Sequence, residues 1–371
     1  MKLVREGRDL RVDFFRGIAL WFIFIDHVPG NFLGVLTIRN ATLSDATEIF
    51  VMLAGYAAGL AYGRNYERYG WLHAGADVLR RTWTLWVAHI FLFVAFAAEV
   101  GFATRHFGKR AYLAEVGFDH LVKAPHRALL DALLLIYQPA YLNVLPMYIA
   151  ILLFFAAALP LLRRPHALLA LSLALYAAAR IFWLNLPTWR GGVWFFNPLT
   201  WQFLFVLGVL LARNPPAFPT RPRRLDALAV VLLVLGFAML LFTWHRPDLR
   251  PLVPKPLLHV LLGIDKSALH PFRLVSVLCL VWLAIRLVPA HAGWLRHSAA
   301  RLFILIGQFG LPVFCFGIFF SFLGRLVVEF APGFGVQLVV NLVGLAGLAA
   351  VAAVPAWYRA KEQQKRAAAA I

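Results

Sequence analysis

Apolar runs of about 15 to 22 residues, long enough to cross a bilayer, fill most of the chain and are separated by short polar or proline-glycine segments. Ten such windows fall at 13–28, 44–63, 81–101, 141–162, 166–186, 198–213, 225–244, 272–289, 301–323 and 335–357, and each is read as a membrane helix. Several are closed by Pro29-Gly30, Pro187, Pro215-Pro216, Pro247, Pro289 or Pro332-Gly333. A further stretch, 127–139, is Leu-rich but holds Asp131, and is read as a membrane-parallel or half-length helix. The pattern predicts an all-α polytopic membrane protein forming a single domain over 1–371, with modest outer loops and no solenoid repeat.

The first window carries polar residues that a plain anchor would lack. Arg16 sits near one end and Asp26-His27 at the other. Ionisable groups inside an apolar segment are costly unless partnered, so they mark function by default. Arg16 and His27 are eleven positions apart, about three full turns, which puts them on one face about 16 Å apart along the axis. Asp13, three residues before Arg16, fits an ion-pair partner better than a catalyst.

The second window opens with Ser44-Asp45-Ala46-Thr47-Glu48. Asp45, Glu48, Met52, Gly55 and Gly59 share one helical face, with two carboxylates at its end and a glycine groove below. The loop between the two windows leaves Asp26, His27, Asp45 and Glu48 at similar depth. Asp45 with Glu48 also has the spacing of a helix cap, and that reading stands equally open for Asp45. A neutral imidazole beside a carboxylate can take a proton from a hydroxyl as it attacks an acyl carbonyl. Asp26 points about 100° away from His27 on an ideal helix, so Glu48 is the better orienting partner and His27-Glu48 the expected pair. No Ser or Cys in the cluster is placed as a covalent nucleophile, and no zinc-type His/Cys spacing occurs, so direct transfer without a metal is the simpler chemistry.

Composition agrees with the helical reading and removes other classes. At 62% hydrophobic, 14% charged and a mean hydropathy of +0.75, the 371-residue chain is too apolar for a soluble domain. Its net charge of +19 would suggest nucleic acid in a soluble protein, but here the basic residues flank apolar windows, and no nucleic-acid partner is expected. With the N-terminus cytoplasmic, the inner segments hold about 21 Lys and Arg against about 13 outside, which places both termini inside. Lys2, Arg5, Arg8 and Arg11 before the first window suggest a signal peptide, but no small-x-small cleavage site follows, so the window is read as a retained helix. Cys279 and Cys315 lie inside apolar windows and behave as small hydrophobes.

Arg16 followed ten residues later by His27 resembles the Arg-x10-His signature of the acyltransferase 3 superfamily. More narrowly, Arg-Val-Asp-Phe-Phe-Arg-Gly at 11–17, Phe-Ile-Asp-His-Val-Pro-Gly-Asn at 24–31, Ser-Asp-Ala-Thr-Glu-Ile-Phe-Val at 44–51, Leu-Pro-Met-Tyr at 145–148 and Asn-Pro-Leu-Thr-Trp-Gln at 197–202 resemble the OpgC type, the succinyltransferases of osmoregulated periplasmic glucans. The resemblance implies a ten-helix enzyme of the bacterial inner membrane, moving an acyl group, succinyl above all, from cytoplasmic acyl-CoA to hydroxyls of a periplasmic glucan. It implies no tightly bound cofactor; the acyl-CoA is a co-substrate, and the glucan and the bilayer are the other partners. Carried over, His27 is catalytic, Arg16 is the inner basic residue, and Asp26, Asp45 and Glu48 support. Where the resemblance implies Gly-Gln-His-Ser-Leu in the ninth window, this chain has Gly307-Gln308-Phe309-Gly310-Leu311.

On that reading Arg16, Arg64, Arg80 and Arg81, with Asp13 beside Arg16, form the side facing the polyanionic CoA headgroup. Trp183, Trp189, Trp194, Phe195 and Trp201 either stack on sugar or form an interfacial aromatic belt. Arg190, Arg246, Arg250, Lys255 and Lys266 face an anionic glucan or lipid headgroups. Two other functions stay open: an O-acetyltransferase for another exported polysaccharide or a lipid-linked glycan, and a proton-coupled transporter or flippase.

Overall fold

The computed structural model describes residue 4 and residues 9–108, 111–189, 191–213 and 223–369. Lys2, Arg5, Arg8, Arg190, Pro215 and Pro216 lie outside the described residues. Among the described residues the architecture is helical, and the one strand-like feature is an isolated pairing of Pro187 with Val193. The main helices are α1 (Leu10–Asp26), α2 (Ala46–Phe107), α3 (Pro125–Leu133), α4 (Val144–Ala158), α5 (Pro165–Ile181), α6 (Pro198–Arg213), α7 (Arg223–Leu240), α8 (Pro271–Leu287), α9 (Ser298–Gln308), α10 (Gly310–Phe330) and α11 (Phe334–Ala369).

Five helical segments are long and apolar enough to cross a membrane: Ala46–Phe107, Val144–Arg163, Arg223–His245, Gly310–Phe330 and Phe334–Arg366. The chain is thus a membrane protein by its helices, but these five do not make up the ten spans expected. Four windows form helices of only 16 or 17 residues, α1, α5, α6 and α8, and two others merge into one, which accounts for the difference. The 17-residue α1 rises only about 25 Å against a hydrocarbon core of about 30 Å. The windows 44–63 and 81–101 are joined, because 64–80 contains no proline and stays helical apart from Gly70, at φ 80 and ψ −177. The window 301–323 is instead divided at Phe309, which sits outside helical geometry at φ −118 and ψ 44 between α9 and α10. The stretch 127–139 contributes α3, nine residues long and short of a bilayer crossing.

Gly70 reverses the chain. Asn65 Nδ2 donates to Asp77 Oδ2 at 2.7 Å, whereas twelve residues of straight helix would separate them by about 18 Å. Positive φ is open to glycine at little cost, so the sharp bend falls here.

The chain divides into two compact units. The first comprises Met1–Phe50, Phe218–Ile264 and Pro271–Ile371; the second comprises Val51–Ala217 and Asp265–His270. In the first unit α1 packs on α9 with backbone-to-backbone closeness. A Cβ on Gly17 would stand 1.9 Å from the Phe303 carbonyl oxygen, and one on Gly307 would stand 1.8 Å from that of Asp13. Small residues at such crossings are the membrane counterpart of an apolar core, since lipid gives helices no hydrophobic reason to associate. Around that contact α10 packs on α1 and α11, and α7 packs on α8.

In the second unit α6 lies against α4, α5 and the α2 residues after Phe50. The glycine groove expected on α2 is used here: Gly55 meets the Phe205 backbone and Gly59 that of Val209, while Gly208 of α6 answers against Met52. The buried Ser172 and Gln202 bind each other, Ser172 Oγ donating to Gln202 Oε1 at 2.6 Å.

Candidate functional site

The site in the first unit is built from both ends of α1 and the start of α2. Asp9 caps α1 by accepting from the Arg11 amide at 3.0 Å, and one turn later Asp13 is buried at 1% exposure. Asp13 has two partners there. Its Oδ1 lies 3.5 Å from Arg16 Nη1, the expected ion pair, and its Oδ2 accepts from Gln308 Nε2 at 3.1 Å. Arg16 also reaches the Gly307 carbonyl at 3.4 Å, so the last turn of α9 lies against the Asp13-Arg16 pair. At the helix break, a Cβ on Gly310 would lie 3.4 Å from Arg16 Cδ, and Arg359 of α11 covers the Phe309 ring at 5.0 Å.

At the other end of α1, His27 ends the helix and is half-buried. Its Nδ1 stands 2.6 Å from the Ile23 carbonyl oxygen, a contact only an Nδ1–H can make as a hydrogen bond. Donation there puts the ring's lone pair on Nε2, because a neutral imidazole has one donor and one acceptor. Asp26 is held elsewhere: its Oδ1 accepts from the hydroxyl of buried Thr37 at 2.8 Å. This agrees with the helix geometry that points Asp26 away from the ring. Thr37 lies in a loop tied to the start of α11 by the reciprocal Asn31–Asn341 amide pair, at 2.9 Å in each direction.

Asp45 and Glu48 are both a helix cap and half of an ion cluster. Asp45 Oδ1 accepts from the Thr47 amide at 2.7 Å, and Glu48 Oε2 accepts from the Asp45 amide at 2.9 Å, which is a capping box. The remaining oxygens meet Arg273 in the first turn of α8. Its Nε donates to Glu48 Oε1 at 2.7 Å and its Nη2 stands 3.3 Å from Asp45 Oδ2. Glu48 is fully buried and the Arg273 side chain is 13% exposed. Beside them Ser44 Oγ and Ser276 Oγ are 3.2 Å apart, a second tie between the start of α2 and α8.

The structure brings together Asp13 with Arg16, and Asp45 with Glu48, and adds Arg273, Thr37 and Gln308. Arg273 counts in the sequence as a loop charge because its partners lie more than 220 positions away. The signal for it is a cation just inside an apolar window, as Arg16 is near the start of the first. Arg80 and Arg81 lie on α2 in the second unit, Arg80 exposed and Arg81 half-buried. Trp194 and Trp201, expected either to stack on sugar or to form an interfacial belt, are buried. Trp201 is 0% and Trp194 5% exposed, and their N–H groups donate to the carbonyls of Ser267 and Pro187. Both belong to the core of the second unit; of the five aromatic residues in that expectation, Trp183 and Phe195 are exposed.

These features define a helical membrane protein with a buried carboxylate-guanidinium cluster in the same unit as a histidine whose Nδ1 meets a backbone carbonyl. The sequence model of the OpgC protein family matches residues 8–360, and the chain belongs to that family. Membership places it in the modification of osmoregulated periplasmic glucans, as a transferase. No curated protein and no solved structure matches the chain.

Proposed function

We propose that the chain is a membrane O-acyltransferase of the bacterial inner membrane that moves a succinyl group from cytoplasmic succinyl-CoA to a hydroxyl of a periplasmic glucan. In this reaction His27 Nε2 takes the proton of the glucan hydroxyl as its oxygen attacks the thioester carbonyl. The tetrahedral intermediate then collapses, the carbon–sulfur bond breaks, and the departing thiolate takes the proton back from the imidazolium. The products are the glucan ester and free CoA. The observation that carries this reading is the Nδ1 contact of His27 with the Ile23 carbonyl, which makes Nε2 the basic nitrogen.

The Glu48-Asp45-Arg273 cluster supports the step structurally. The two carboxylates share the Arg273 guanidinium and so hold the start of α2 against α8 in the unit that contains His27. In this scheme the Ile23 carbonyl orients the His27 ring, and Glu48, its oxygens engaged by the Asp45 amide and Arg273, has a supporting role. Arg16, paired with Asp13, which Gln308 holds in turn, faces the donor end of the same helix and meets the CoA. The larger share of Lys and Arg in alternate segments supports cytoplasmic termini.

The test is the mass of periplasmic glucans from cells with and without the gene. A gain of one succinyl unit supports the reading, a gain of one acetyl unit or acylation of a different polymer redirects the substrate, and unchanged covalent structure with altered glucan export supports a transporter.

A further inference from the structure

In the second unit α4, α5 and α6 enclose a groove of about 290 Å³. That is near the lower end of ligand pockets, about 300–1,000 Å³. Its lining is apolar, with Ile151, Phe154, Leu161, Leu168, Leu171 and Phe205 prominent. The polar side chains that reach it are Ser172 and Gln202, and these satisfy one another: Ser172 Oγ donates to Gln202 Oε1 at 2.6 Å, and Gln202 Nε2 donates to the Ser172 carbonyl at 2.9 Å. The depth of the groove therefore selects hydrocarbon over sugar or nucleotide.

Length and charge narrow the occupant further. The lining runs along α4 and its last turn from Ile151 to Leu161, about 15 Å, half of a hydrocarbon core of about 30 Å and so one leaflet deep. One side is open to the bilayer, since Leu171 is 57% and Phe154 40% exposed. At the Leu161 end the chain leads directly into Arg163 and Arg164, both exposed. The Arg163 guanidinium lies over the Tyr66 ring at 5.1 Å and Arg213 pairs with the neighbouring Glu67, so arginines from α6 and the α4–α5 turn gather at the same end. Exposed Arg64 and Arg68 flank Tyr66 on α2, against Glu67 and Asp77 as the acidic groups of that stretch. Guanidinium groups match phosphate oxygens in a bidentate geometry, and a basic rim above an apolar cleft between membrane helices fits an anionic lipid headgroup.

We propose that this groove is a binding site for an anionic phospholipid, one acyl chain lying along α4 and α5 and the phosphate meeting Arg163 and Arg164. The site is independent of the acyl-transfer reading. It is tested on the full-length protein reconstituted in an equimolar mixture of phosphatidylglycerol and phosphatidylethanolamine, then stripped in mild detergent and weighed by native mass spectrometry. The wild type retains phosphatidylglycerol in preference. Each arginine near an anionic headgroup contributes roughly fivefold in affinity, so Arg163→Gln with Arg164→Gln lowers the preference by about 25-fold. Leu171→Trp, which fills the groove from its open side, removes the retained lipid while both variants keep the wild-type elution volume. Retention of the two lipids in proportion to the mixture, or an unchanged preference in the arginine variant, overturns the proposal. If Leu171→Trp elutes as aggregate, the arginine variant decides alone.

Discussion

Removing Arg273 exposes what holds the start of α2 to α8. In Arg273→Leu the carboxylates of Glu48, fully buried, and Asp45, 6% exposed, lose the cation that meets both. Deleting one partner of a buried ion cluster costs about 3–5 kcal/mol, because the remaining charge keeps its desolvation penalty without compensation. Against a total stability of about 5–15 kcal/mol this is a large fraction. At about 2 °C per kcal/mol for a large chain, the melting temperature falls by about 6–10 °C. Tryptophan fluorescence during heating in detergent micelles reads the change, as the chain has 12 Trp. The second arm adds Glu48→Gln, which keeps an acceptor for the Asp45 amide but removes the stranded charge. The double variant then recovers more than about 1 kcal/mol relative to the sum of the single effects. A single variant that melts within about 2 °C of wild type, or strictly additive effects in the cycle, would refute the assignment of Arg273 as the cluster's counter-charge.

Other perturbations follow from backbone contacts. Gly17→Ala and Gly307→Ala drive a methyl into carbonyl oxygens 1.9 and 1.8 Å away, so α1 and α9 separate and folded yield drops sharply in size-exclusion profiles; wild-type behaviour would mean the crossing is loose. Gly75→Ala and Gly101→Ala meet nothing within 4 Å and gain up to about 1 kcal/mol of helix propensity, a rise in melting temperature that separates contact from composition. Gly70→Ala forces a side chain into φ +80 at a cost of about 1–2 kcal/mol, visible as a lower melting temperature and faster proteolysis at the hairpin; no change would place the bend elsewhere. Gln308→Leu removes the amide that donates to Asp13 Oδ2, and in the proposed reaction transfer at limiting acyl-CoA falls more than at saturation; equal loss at both concentrations would assign Gln308 a structural role alone.

Much of the site could be read from residue spacing. Three-and-four periodicity placed Asp45, Glu48, Gly55 and Gly59 on one face, and the structure uses the glycines against α6 and the carboxylates as cap and ion cluster together. Asp13 paired with Arg16 because i,i+3 neighbours on a helix must meet. What could not be read was tertiary. Arg273 reaches Glu48 across 225 positions, and Gln308 reaches Asp13 across 295, and no local pattern encodes such pairings. Hydropathy also misjudged helix ends, since it measures apolar content and not backbone geometry. The break at Phe309, between Gln308 and Gly310, falls inside one hydropathy window, and the helix through 64–80 crosses a polar stretch. Trp201, read as either a sugar-stacking or a belt residue, is in the core because its indole can satisfy the Ser267 carbonyl while burying its whole ring.

His27 as the base is the central element of the proposed reaction. The direct measurement is the mass of periplasmic glucans made by cells carrying wild-type or His27→Ala protein at equal membrane abundance. The account predicts succinylated glucan with the wild type and unmodified glucan with His27→Ala. Succinylation at the wild-type level by the His27→Ala protein would contradict it.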